Sequence, residues 1–360
     1  MTTEAQGHGE YLARRHFSSL DGLRALSIVP IIWHHSTPYP LAGLLGQGSA
    51  GVSLFFCISG FLITTLLLRE QRDTGRISLA AFYARRALRI FPLYYLVLLG
   101  YVAFAWRMPN ATPGREHFFR SLPFFLTYTA NWFVDFSVSH PVLFSFAWSL
   151  CIEEQFYCCW APLVARVRSR LLLCCAVGAL FVLGSSPGLL LLHSLTLSKA
   201  ALRIATSFSR PIGWGALLAI ALDDPRGFRI LSVAFGRKWS APLSLAVIIA
   251  ILAFARAPGT ALDLSLTALV GSCVVGASNG LAPFFELRIV SYFGRISYGL
   301  YLLHMTAIGL VRRLFPDLAS LAPFVFGLSL PISFLLANAT FLVFERRFLM
   351  LRARFRPSIP

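Results

Sequence analysis

Charge is what this sequence has least of. Only 13% of its 360 residues are Asp, Glu, Lys or Arg, where a soluble domain carries about 25%. With 57% hydrophobic residues and a mean hydropathy of +0.69, most of the chain needs lipid as its solvent. That excludes a soluble globular enzyme. Acidic residues are scarcest of all: 15 Asp+Glu stand against 32 Lys+Arg, a formal net charge of +17. In a soluble protein this excess would suggest nucleic acid. In a chain this apolar it reads as Arg gathered in cytoplasmic loops, where anionic lipid attracts it, and no nucleic-acid partner is expected.

Other absences narrow the class further. The seven cysteines (57, 151, 158, 159, 174, 175 and 273) all fall in apolar runs and read as small hydrophobes. Their two adjacent pairs lack zinc-site spacing, so neither a disulfide framework nor a metal is expected. The first twenty residues have no apolar core, so no cleaved signal peptide is expected and 1–20 reads as a short cytoplasmic tail. There is no internal repeat, no low-complexity segment and no room for a second soluble domain.

What the sequence does have is apolar runs of spanning length. They fall at about 23–45, 50–68, 90–106, 142–164, 171–192, 204–222, 240–256, 261–279, 292–314 and 321–344, several of them nearer 17 residues than 20. The expected fold is an all-α bundle of about ten transmembrane helices, with a transmembrane domain over 21–347 and a basic tail over 348–360. The short apolar stretch 121–134 reads as a half-helix or interfacial segment in a long outer loop. Charge supports that count. With ten spans and both termini cytoplasmic, the inner segments and inner helix starts hold 23 of the 32 Lys+Arg, as the positive-inside rule requires. An eleventh span would put Arg166, Arg168, Arg170 and the C-terminal arginines outside.

Against this background, polar residues within the spans stand out. A charge at a helix centre costs roughly 2.5–3.5 kcal/mol on insertion scales and so suggests function. In span one, His35 follows Arg24 by eleven residues, roughly 16 Å deeper and on the same helical face, while His34 points about 100° away. Each could equally be a satisfied core residue. In span three, Arg85, Arg86 and Arg89 lie within one turn. They read either as a positive-inside anchor or as a clamp for phosphate oxygens. In span four, Glu153 and Glu154 sit eleven or twelve residues into an apolar run, with Ser149, Glu153 and Tyr157 forming one polar stripe. Tyr298, Tyr301 and His304 lie mostly on one face of span nine. Ser59 and Gly60 sit mid-span in span two, where close packing is the simpler reading.

These motifs, in this order, resemble the membrane-bound acyltransferase family 3, whose members O-acylate carbohydrates and some antibiotics. SLDGLRALSIVPIIWHH carries the family's Arg, ten residues, then His, which favours His35 over His34. LFFCISGFLIT, RRALRIFPLYY, WSLCIEEQFY and SYGLYLLH match four further motifs, so the resemblance runs from residue 20 to about 304. Two departures are GVS where GVD is commoner and Phe146 where many members have His. The sequence ends soon after FERRFLMLR, so the hydrolase-like domain fused to some relatives is not expected.

The resemblance implies a multi-pass protein of the bacterial inner membrane that moves an acyl group, acetyl for preference, from acyl-CoA to a carbohydrate or small-molecule hydroxyl. No cofactor would be bound permanently. His35 would be the base, or an acyl carrier. Arg24 would position it or neutralise developing charge, Glu153 would orient the protonated imidazole, and Arg85, Arg86 and Arg89 would hold the donor's phosphates. Ser59, Tyr157, Tyr298, Tyr301 and His304 would line or support the site. A transporter is the competing class, because intramembrane His, Glu and Arg also make proton and substrate pathways.

Overall fold

The protein is described here from a computed structural model covering residues 3–37, 46–140, 142–183, 203–204, 207–254, 259–276 and 279–355. Among the described residues all regular structure is helical. Each of the ten apolar runs overlaps a helix, as their composition and length require. Among the described residues, three helical stretches are long and apolar enough to cross a membrane: Ala50–Thr74, Leu79–Trp106 and Ala322–Phe355. Pro225–Phe235 and Ser240–Phe254 pass the same test together, but with a 73° bend between them. The parts of 23–45, 171–192, 204–222, 240–256 and 261–279 that fall on 38–45, 184–202, 205–206, 255–258 and 277–278 lie outside the described residues.

The chain divides into two compact units, one of residues 1–72 and 211–343, the other of 73–210 and 344–360. In the first, α1 (Thr3–Ala13), α2 (Ser18–Ser36) and α3 (Ala50–Thr74) join α9 (Arg210–Asp223), α10 (Pro225–Phe235), α11 (Ser240–Phe254) and α12 (Gly259–Val275). They are followed by α13 (Ala282–Phe285), α14 (Arg288–Arg295), α15 (Ser297–Leu314) and α16 (Ala322–Thr340). Helix α2 is the hub, packed against α12, α13, α14, α15 and α16. Leu20 and Leu23 of α2, Leu54 and Phe61 of α3, Leu218 of α9 and Leu269 of α12 belong to one buried apolar cluster. Helices α3 and α9 meet through glycine. A Cβ on Gly60 would overlap the Ile212 carbonyl, and one on Gly215 would overlap that of Cys57. This is the backbone approach that small residues permit between membrane helices.

The second unit contains α4 (Leu79–Trp106), α5 (Pro113–Leu126), α6 (Ala130–Phe133), α7 (Trp148–Arg166), α8 (Arg170–Leu183) and the C-terminal helix α17 (Arg346–Leu351). Tyr94 and Tyr95 of α4 donate hydrogen bonds to the last carbonyls of α5, at Phe125 (2.8 Å) and Leu126 (2.9 Å). Those carbonyls have no partner within the helix, so two tyrosines fasten the end of α5 to α4. The Tyr94 and Tyr128 rings stack at 4.3 Å, with Phe144 edge-on to Tyr94. Helix α5 has 14 residues, a length of about 21 Å, short of the ~30 Å hydrocarbon core.

Candidate functional site

Depth along the helices differs from the sequence-based expectation in two places. The run 142–164 is not helical from its start. Phe144 adopts a left-handed conformation (φ 62°) and Ser145–Ala147 form a single 3₁₀ turn, so α7 begins at Trp148. Glu153 is therefore the sixth residue of its helix, where a helix starting at 142 would make it the twelfth. Hydropathy carries no signal for such a turn. The run 292–314 likewise breaks at Ile296, between α14 and α15.

His35 lies in the last turn of α2. Its Nδ1 is 3.0 Å from the Ile31 carbonyl and 3.2 Å from Nε2 of His304, which is fully buried on α15. His304 Nδ1 is 2.6 Å from the Tyr301 carbonyl. A carbonyl can only accept, so each Nδ1 carries the proton. His304 Nε2 therefore accepts from His35 Nδ1–H, and the lone pair of His35 remains on Nε2. The imidazole rings are tilted, with centroids 4.9 Å apart, and the Tyr301 ring lies 5.6 Å beyond. His34 is exposed and meets His35 only edge-on, so the structure separates the neighbours as the helical face does.

Arg312, two turns after His304 on α15, donates to the carbonyls of His35 (3.4 Å) and Ser36 (3.2 Å). It satisfies carbonyls at the end of α2 that have no helical partner and places a cation at the negative end of the helix dipole. Helix α15 thus grips both the side chain and the backbone at His35. Sequence reading missed Arg312; its only signal is an arginine in the last turn of an apolar helix. Arg24 is not at His35. Its guanidinium bonds Asp21 Oδ1 at 3.0 Å, one turn back on α2. Ser59 is half-buried beside buried Gly60 on α3, and Tyr298 is half-buried near the start of α15.

In the second unit, Tyr157 donates to Glu153 Oε1 at 2.7 Å, one turn apart on α7, as the i, i+4 stripe predicts. Ser149 instead donates to the Phe146 carbonyl (3.3 Å). The guanidinium of Arg86 lies 5.2 Å above the Tyr157 ring and interacts electrostatically with Glu154. Arg85, its neighbour, donates to the Phe355 carbonyl at 2.6 Å. The arginine cluster is therefore split: Arg85 fastens the C-terminal segment to α4, and Arg86 lies over Tyr157 and near Glu154. Arg89 lies one turn further along α4.

Gln155, between these residues on α7, was also missed. It exchanges paired amide hydrogen bonds with Asn131 (3.0 and 2.8 Å) and donates to the Tyr128 carbonyl (2.8 Å). This clasp fixes the segment 128–131 to α7. Of the expected site residues, the structure brings His35, Tyr301 and His304 together in one unit, and Arg86, Glu153 and Tyr157 together in the other.

Comparison with known proteins agrees with the motif order. A family model described as "Acyltransferase domain" matches residues 17–338. The peptidoglycan O-acetyltransferase OatA of Listeria monocytogenes is 26% identical over 371 residues, covering 96% of this chain and 57% of that protein. A protein of Staphylococcus aureus (strain COL) named "Putative O-acetyltransferase" is 27% identical over 373 residues, covering 96% of this chain and 59% of its own length. The Bacillus subtilis protein named "Putative peptidoglycan O-acetyltransferase YrhL" is 28% identical, covering 82% and 49%. The chain thus spans less than two thirds of the length of these relatives. No solved structure matches it.

Proposed function

The chain belongs to the acyltransferase 3 family, and on that premise we propose that it is a membrane O-acyltransferase. In this reading it moves an acyl group, acetyl by preference, from acyl-CoA to a hydroxyl of a carbohydrate, with His35 as the base. It crosses a bacterial inner membrane about ten times with both termini cytoplasmic. The acyl-CoA donor is made on that cytoplasmic side, and the glycan acceptor comes from the other. Relatives named for peptidoglycan O-acetylation support a polysaccharide acceptor.

One observation carries the reading: the hydrogen bonds of His35 and His304 leave an unprotonated Nε2 on His35. In the proposed reaction, the acceptor hydroxyl oxygen attacks the thioester carbonyl carbon as His35 Nε2 takes its proton. The tetrahedral adduct then collapses, the C–S bond breaks, and the coenzyme A thiolate recovers that proton from the imidazolium. His304 and Arg312 position His35 and are not themselves catalytic. Arg86 and Arg89 hold the donor's phosphates, with the Tyr157 ring, its hydroxyl fixed by Glu153, beneath the Arg86 guanidinium. Arg24, fixed by Asp21 toward the cytoplasmic end of α2, neutralises donor charge on entry.

The test is to incubate membranes holding the chain with radiolabelled acetyl-CoA and glycan. Label should enter the glycan as a base-labile ester. Uptake of the label's carrier without ester formation would overturn the reading in favour of transport.

A further inference from the structure

Two clefts in the second unit take no part in the chemistry above. One, of about 380 Å³, is lined by His117, His140, Glu116, Phe124, Phe133 and Asp135 among others. The other, of about 460 Å³, is lined by Asn131, Asp135, Trp148, Arg203 and Ser207 among others. Both volumes fall in the range of small-ligand sites. Asp135 lines both. The segment between α4 and α7 that builds most of their walls is the one that charge asymmetry places outside the membrane, on the side of the acceptor.

Their chemistry is specific. Phe133 (43% exposed) and Trp148 (38%) present aromatic surface to the clefts, and aromatic surface can cover the apolar C–H face of a sugar ring. Around them stand groups suited to the hydroxyl edge. Asp135 is held in place because its Oδ1 accepts from both the Ser137 hydroxyl (2.6 Å) and backbone N–H (2.9 Å). These bonds keep its carboxyl below the usual range, and Oδ2 is left as an acceptor among the described residues. His117 Nδ1 and His140 Nε2 are 3.1 Å apart, which leaves each ring its other nitrogen. Excess positive charge, which a phosphate ligand would require, is missing. Arg120 pairs with Glu116 at 2.6 Å, and Arg203 interacts with Asp135. The Asn131–Gln155 clasp ties the cleft wall to the helix that carries Glu153.

We propose that the clefts sharing Asp135 form a binding site for a neutral stretch of the acceptor glycan, with Phe133 and Trp148 as stacking platforms and Asp135 bonding hydroxyls between two sugar units. The assignment rests on the acyltransferase reading only for the name of its ligand as acceptor; the sugar site itself can be tested apart from it.

The experiment uses the full chain in lipid nanodiscs and the N-acetylglucosamine tetramer as probe, with binding followed by calorimetry. Saturable binding is expected, weakened about tenfold by Asp135→Ala, since each lost charge-assisted hydrogen bond is worth about that factor. Phe133→Ala should weaken it similarly. Both residues are exposed, so neither change threatens folding. In the same samples, the KM for the tetramer should rise in step with the dissociation constant. Failure of the wild-type chain to bind the tetramer, or undiminished binding by both variants, overturns the site. Tetramer binding that the variants weaken, in a chain that never cleaves acetyl-CoA, supports the site and overturns the acyltransferase reading instead.

Discussion

His304 Nε2 accepts a hydrogen bond from His35 Nδ1–H across 3.2 Å, joining the end of α2 to the middle of α15. Because His304 Nδ1–H is committed to the Tyr301 carbonyl, this buried imidazole can only accept at Nε2. With the nearer Ile31 carbonyl, which shares the same N–H, it holds the proton of its neighbour on Nδ1 and orients that ring, as outer-shell partners do for other functional histidines. His304→Phe keeps a ring and removes the acceptor. The expected outcome is a fall in kcat of about 10- to 100-fold with little change in the KM for acyl-CoA, read by steady-state kinetics. A purely structural role would instead reduce the amount of folded protein and leave the kcat of the remainder intact.

The neighbouring histidines give an internal control. His35→Ala should lower acyl transfer by about 10²- to 10⁴-fold, the usual contribution of a positioned base, in protein that still inserts and elutes as wild type. His34→Ala, at an exposed position on another face, should stay within about twofold, inside the ±0.5 kcal/mol typical of changes at exposed sites. Equal activity in the two variants would remove His35 from the mechanism.

Arg86 and Arg85 should separate just as clearly. Arg86→Ala is expected to raise the KM for acyl-CoA about tenfold, the worth of one charge-assisted contact. Arg86→Lys should restore it only in part, because an ammonium lacks the planar fork. Arg85→Ala should leave donor KM near wild type and make the C-terminal segment more sensitive to protease, since it removes the bond to the Phe355 carbonyl.

Gly60→Ala puts a methyl group into the Ile212 carbonyl of α9. Backbone cannot yield as a side chain does, so a loss of about 1–3 kcal/mol is expected, visible as a lower unfolding temperature in detergent. Gly100→Ala, where a methyl group meets nothing, should be neutral or mildly stabilising, because alanine is the better helix former.

The His117–His140 imidazole pair should respond to acid. Partial burial, and then the neighbouring His140, hold the pKa of His117 below its ordinary value. A depressed histidine pKa means the unfolded chain binds the proton more readily than the fold does. The stability contributed by the neutral ring is therefore present above the ordinary imidazole pKa and is lost as pH falls below it, down through the depressed value. An NMR titration of ring-labelled histidine should give His117 an apparent pKa below that of a free imidazole, and His140→Ala should move it upward.

Much of this protein is legible in its sequence for a local reason. Apolar length and Arg placement are properties of one segment at a time, and each of the ten apolar runs overlaps a helix. The choice of His35 over His34 is likewise local, because one helical period sets both faces. The Tyr157–Glu153 bond follows from i, i+4 spacing alone. Where helices begin and break is less legible. The left-handed turn at Phe144 and the break at Ile296 lie in runs whose hydropathy is uninterrupted, so the residue count overstated the depth of Glu153.

Partnership between helices is what only the tertiary structure decided. Three adjacent arginines look alike in sequence, yet the packing of α4 sends Arg85 to a backbone carbonyl and Arg86 to the Tyr157 ring. Arg24 and His35 share a face of α2, but Arg24 bonds Asp21, a turn further from His35. His304, Arg312 and the Asn131–Gln155 clasp bond to groups tens or hundreds of residues away. By itself the sequence determined that the chain would be helical, apolar and of an acyltransferase pattern, because those follow from composition, period and motif order. The orientation and grip of the candidate base depend on where other helices present a lone pair or a carbonyl, which no single segment contains.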